Sequence, residues 1–411
     1  MKNRHSHRAC SIATSFATLF LLIHGGARAA VEPPSLIDKT TELRPTELRV
    51  MDVLLETYAD TDWSAVAEHI RSFPDDGGNP NVMVIPLSLG NVLLNRYEKK
   101  KNASDFELAV LHFESVAKQY PAWKARWLTP GVVQYLVVSV HRLRNECEPY
   151  VAMPSPGWHK RVERLWKDVK RILKQEADFR LTIDLPHLPY ESCFTGDTKA
   201  EENAWEAALF AAAANFLPAD SQAAVWEQKA RQLAYDAITR PSDPPDAAGV
   251  KTCTVEEDLM LSNHGYAPNP YYAGATLALL AQGALTYRLT GHPIPDEFMH
   301  NVPELSSKYS SYLAADLTWN VPSDPEGDGS LFPLFFNPDL EKKAVSKKAS
   351  AGYLWKPTQK AVVMGTGSDL WEAIQNSKVV LYYLMTSYLW RFPPSGCHEM
   401  PLKEPVEGQV E

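Results

Sequence analysis

Apolar residues recur at helical spacing in one segment after another of this chain, and the links between the segments alternate in length. Helices are predicted over 44–58, 62–72, 84–99, 104–119, 131–146, 157–177, 198–216, 220–239, 270–291, 295–316 and 369–390. In DFELAVLHFESVAKQY (105–120), Leu108, Val110, Leu111, Phe113 and Val116 lean to one side. EAALFAAAANFL (206–217) is apolar nearly all round, as suits a helix enclosed between layers. Links such as LPADS (217–221) and TGHPIP (290–295) are short, whereas those over 178–197, 240–269 and 318–368 are long. Antiparallel pairs joined in this way collect the long links at one end, and loops on a rigid scaffold commonly carry binding and chemistry. No strand ladder is evident, although KAVVMGTG (360–367) has the composition of a short strand.

Helices taken in pairs fit an α/α toroid or a helical-repeat solenoid. A solenoid repeats its small and aromatic positions about every 34 residues, and no such period is present. The expectation is therefore an all-α chain forming an α/α toroid. This would be a complete or incomplete ring of about six helical hairpins, with the long loops at one end.

The amino terminus sets the expected compartment. Lys2, Arg4 and Arg8 precede the apolar run ATSFATLFLLI (13–23), which is too short to span a bilayer, and Ala27-Arg28-Ala29 follows. This pattern predicts a signal peptide over 1–29, a single domain over 30–411, and a periplasmic or secreted location. No later stretch has the length and apolarity of a membrane helix, so no membrane insertion is expected. Removing 1–29 takes away four basic residues and no acidic one, making the chain more acidic than the −9 of the full sequence. Such a balance argues against nucleic acid as a partner. Cys147, Cys193, Cys253 and Cys397 remain; Cys193–Cys253 is the preferred disulfide, with buried free thiols as the alternative.

Two stretches concentrate chemistry. In FTGDTKAEENAWEAA (194–208), Thr198 and Glu201 have capping-box spacing. Glu202 precedes Trp205 by one helical turn, which makes it either a proton donor beside an indole or a first-turn acid favoured by the helix dipole. In SNHGYAPNPYY (262–272), Gly265, Pro268 and Pro270 satisfy turn chemistry but do not account for Asn263, His264, Tyr271 and Tyr272. An amide can bind a carboxylate without adding charge, a neutral imidazole can take a proton, and a phenol can return one. These groups suit β-elimination from a uronic acid: the neutralised carboxylate acidifies its α-proton, a base removes it, and an acid protonates the leaving glycosidic oxygen. Packing is the alternative role for each. Asn203, Trp205, Tyr266, Trp319 and Asn320 are expected to line the substrate cleft.

Other motifs are weaker. DPEGDG (324–329) begins like a calcium loop, but Phe335 occupies the position of the closing Glu, so it reads as an acidic turn. HKRVERLWKDVKRILKQE (159–176) is a basic amphipathic helix, read as an exposed outer face. No P-loop, dinucleotide or HExxH pattern is present, so no metal or other cofactor is expected.

DTKAEENAW (197–205) and NHG (263–265), separated by two helices, resemble paired motifs in secreted bacterial α/α-toroid proteins. Those proteins are related to polysaccharide lyases of the heparinase and alginate-lyase type and to helical-barrel glycosidases. The resemblance covers chiefly 197–272. It implies Asn263 as the carboxylate neutraliser, His264 as the base, and Tyr271 or Tyr272 as the acid, acting on a polysaccharide or oligosaccharide. A glycoside hydrolase pairing Glu202 with Glu257, Asp258 or Asp328 is a second reading, and needs carboxyls ~5–5.5 or ~6.5–9.5 Å apart. A non-catalytic scaffold binding glycan or another envelope protein is a third.

Overall fold

A computed structural model describes residues 80–145, 156–183, 198–263 and 267–312. These residues belong to one unit, Leu36–Glu411. Their regular structure is helical, with no strand beyond a single bridge residue at Asn263. The helices are α1 (Val84–Lys100), α2 (Ala103–Trp123), α3 (Thr129–Asn145), α4 (Pro156–Thr182), α5 (Ala200–Phe216), α6 (Ala223–Asp236), α7 (Pro270–Leu289) and α8 (Val302–Ser311). The predicted helices at 44–58, 62–72 and 369–390, the strand at 360–367 and the turn at 324–329 lie outside the described residues.

Consecutive helices pack as pairs. α1 packs on α2, α3 on α4, α5 on α6 and α7 on α8, while α1, α3, α5 and α7 touch in succession. The two sets have different compositions because they have different surroundings. In α5 every residue but Ala214 is buried, and in α3 everything from Thr129 to Leu143 is buried. Helices α2, α4 and α6 alternate buried and exposed positions, as one-sided burial requires.

Close approach demands small residues in the enclosed row. A Cβ at Gly283 of α7 would lie 2.3 Å from Phe298 Cε1 and 3.3 Å from the Ala208 Cα of α5. α5 itself is rich in alanine, the strongest helix former, which adds little bulk between α6 and α7. Polar residues within this row are tied across helices. Asn91 donates to Ser139 Oγ at 2.7 Å, and Gln282 donates to the Tyr135 hydroxyl at 3.1 Å. Bonds of this kind fix the register of otherwise slippery apolar faces.

Two departures from the expected boundaries are the largest. α4 continues to Thr182, so the link predicted from 178 begins later. The helix predicted over 295–316 is broken into a 3-10 turn (Asp296–Met299) and α8. Asn301 between them has left-handed backbone (φ 53°), and its side-chain amide donates to the Ile238 carbonyl (2.9 Å) and to Asp243 Oδ2 (2.6 Å). These distant partners outweigh the local helical preference. No helix among the described residues is long and apolar enough to cross a membrane.

Candidate functional site

Several links distant in sequence meet where α5 begins. Lys199, not Thr198, occupies the N-cap; its backbone is left-handed (φ 61°) and its side chain makes no capping bond. The Thr198 hydroxyl donates instead to the Ser262 carbonyl at 3.3 Å, so the expected capping box gives way to a tertiary bond across 64 residues. That bond joins the two motif segments. The Lys199 ammonium reaches Glu202 Oε1 at 3.2 Å and stands 5.2 Å from the centre of the Trp127 ring. Trp127, in the α2–α3 link, is 42% exposed. Its ring is partly open to solvent, whereas Lys199 and Glu202 behind it are buried.

Three of the five described non-glycine residues with left-handed φ fall in these links, the other two being Lys101 and Asn301. Ala125, Lys199 and Leu259 are non-glycine residues with left-handed φ, one in each of the segments leading into α3, α5 and α7. Each costs on the order of 1 kcal/mol against the right-handed region. At Ala125 the surroundings hold the conformation in place, because its N–H donates to Glu176 Oε2 at 3.3 Å.

The second motif is clamped by a residue that the turn reading passed over. Asn269 caps α7 by accepting from the Tyr272 N–H (3.3 Å), and its amide donates to the Asn263 carbonyl (3.1 Å). Its own N–H donates to the Leu261 carbonyl (2.8 Å). Pro270 is the first helical residue, and the Ala267–Pro268 peptide is cis. Asn263 is 2% exposed and Tyr272 9%. His264, Tyr266, Trp319 and Asn320 lie outside the described residues, as does the side chain of Tyr271.

Asn203 and Trp205, expected at a cleft, face the helical body. Asn203 is fully buried and donates to the Asp236 carbonyl at the end of α6 (3.4 Å), while Trp205 is buried beside Gly131 of α3. Among the carboxylates considered for hydrolysis, Glu257 accepts from Ser242 Oγ (2.6 Å) and Asp258 pairs with Lys308 (2.6 Å). Asp328 lies outside the described residues.

Beneath this surface lie two buried polar groups of residues. Arg180 of α4 bridges Glu176 (2.9 Å) and Glu206 (3.0 Å) and donates to the Arg126 carbonyl. Tyr120 donates to Glu176 at 3.0 Å, and burial together with that carboxylate's charge raises its phenol well above the usual range. The second is a carboxyl pair. Asp236 is fully buried within side-chain hydrogen-bonding reach of Asp246 and accepts from Thr252 Oγ1 at 3.1 Å. Burial, then the Asp246 charge, pushes the Asp236 carboxyl up to about 7. Asp246 accepts from Gln232 (2.7 Å) and from the N–H groups of Ala248 (2.9 Å) and Val250 (2.7 Å). Through these bonds Asp246 pins the α6–α7 link.

The sequence reading missed Trp127, Lys199, Asn269 and the Asp236–Asp246 pair. Only Asn269 carried a local signal, an Asn directly before Pro at a helix start. Cys253 is disulfide-bonded, with its partner outside the described residues. No group of three or more His, Cys, Asp or Glu among the described residues is placed to hold a metal. Comparisons with protein-family models, curated proteins and solved structures returned no match.

Proposed function

We propose that the end of the helical stack at the start of α5 binds a uronate-containing glycan and cleaves it by β-elimination. The Thr198–Ser262 bond is the observation that supports this reading, because it ties the segment leading to Glu202 to the segment leading to Asn263. The exposed Trp127 indole offers an apolar face to a sugar ring. His264, directly after Asn263 in the chain, would remove the α-proton, and Tyr271 or Tyr272 in the first turn of α7 would protonate the leaving oxygen. Successive contact among α1, α3, α5 and α7, each with a hairpin partner, supports an α/α toroid as the scaffold. The disulfide at Cys253, together with the amino-terminal pattern, supports export to an oxidising compartment.

A non-catalytic glycan-binding role is the second reading, favoured by the near-complete burial of Asn263 and Tyr272. Incubating the protein with uronate polysaccharides separates the two. Cleavage predicts ultraviolet-absorbing unsaturated ends that disappear in His264→Ala. Saturable binding without such products, retained in His264→Ala and weakened in Trp127→Ala, would establish the second reading.

A further inference from the structure

An open groove of about 650 Å³ runs between α2 and α4, apart from the motif residues. Its α2 side carries Glu114, Lys118 and Lys124, and its α4 side Arg164, Asp168 and Arg171. These positions recur at helical spacing, so each helix turns one stripe towards the groove. The floor between the stripes is apolar, with Leu165 and Ile172 buried in it.

The charges do not cancel. Glu114 is held by Arg161 in a two-pronged contact (Nε 2.5 Å), and Asp168 faces Arg171 at 3.3 Å. Lys118, Lys124 and Arg164 have no carboxylate within salt-bridge distance among the described residues. A positive groove on a chain of net charge −9 therefore focuses attraction for anions into one track. From Glu114 to Lys124 that track is about 15 Å long at 1.5 Å per residue, and Lys124 lies three residues before Trp127.

We infer that the α2–α4 groove is a second binding track for an anionic oligosaccharide, seating sugar faces on the apolar floor and carboxylate or sulfate groups on Lys118, Lys124 and Arg164. Its anionic preference stands on the groove's own charges, whereas the choice of a glycan rests on the function proposed for the neighbouring end of the stack. Single-stranded nucleic acid fits less well, because the lining offers no exposed aromatic face for base stacking and the chain as a whole is acidic.

The test measures affinity of the full protein, across a salt series, for a uronate oligosaccharide, a sulfated oligosaccharide, an uncharged oligosaccharide and a single-stranded oligonucleotide. Wild type is compared with the charge reversal Lys118→Glu/Arg164→Glu, the charge-preserving Lys118→Arg, and Trp127→Ala. The reversal should weaken binding of an anionic glycan about tenfold at low salt, with the difference shrinking as salt screens it. Lys118→Arg should keep the affinity, and thermal unfolding should be unchanged in each groove variant. The uronate and sulfated arms identify which anionic group the groove takes. Equal affinity of wild type and reversal for both anionic glycans, or tighter binding of the oligonucleotide, would overturn the inference. Absence of bond cleavage bears on the proposed function alone, because the groove is read by charge-dependent affinity.

Discussion

Between α2 and α4, charged side chains stand on the rim of an open groove and several keep their charge for solvent. Around α5 and its neighbours, Glu176, Arg180, Glu206, Asp236 and Asp246 are drawn inside and meet one another. The same residue types thus have different physical consequences. A rim charge sits in high dielectric, contributes little to stability and remains available to a ligand. An interior charge depends on its neighbours, and removing one of them leaves the others without compensation.

The sharpest way to break this contrast is Arg180→Ala, which removes the cation between Glu176 and Glu206. Loss of a partner from a buried ion network predicts destabilisation of about 3–5 kcal/mol by chemical denaturation. A loss below about 1 kcal/mol would place these residues energetically with the rim.

Next is the pH dependence of Asp236→Asn. The folded carboxyl lies at about 7 against 3.8 for the free group, so the native state retains this proton while the unfolded state loses it. The contribution is fully present below 3.8 and is lost as pH rises through about 7. Wild type should therefore lose on the order of 4 kcal/mol relative to Asp236→Asn between pH ~4 and ~7. Burial lowers His112 to about 4 and His141 to about 3, so these groups act with opposite sign and remove stability as pH falls below 6.5. Comparing the two proteins at each pH cancels the histidines. Parallel stability curves would exclude the carboxyl pair as the source.

Packing within the enclosed row gives a smaller effect. Gly283→Val must displace Phe298, and about 1–3 kcal/mol of destabilisation is expected from thermal or denaturant unfolding. At the groove, Arg161→Ala should cost less than about 1 kcal/mol despite its contact with Glu114, because both side chains are partly solvated. A larger loss there would show that the groove wall is structural rather than free to bind.

Much of the helical plan was legible in the sequence. Periodicity placed α1 through α7, and the nearly unbroken apolar run at 206–217 marked α5 as enclosed, because burial on all sides leaves no face for polar residues. Local pattern could not reveal which partner a polar side chain would choose. Thr198 had every local reason to cap α5 yet bonds Ser262, and Asn301 interrupts a helix to reach Ile238 and Asp243. Lys199 meets Trp127, and Asp236 meets Asp246, only after the chain has folded back on itself. Helical periodicity records how each residue sits in its own segment. Ion pairs, shifted proton affinities and the groove depend on distances between segments, and those were set by tertiary structure alone.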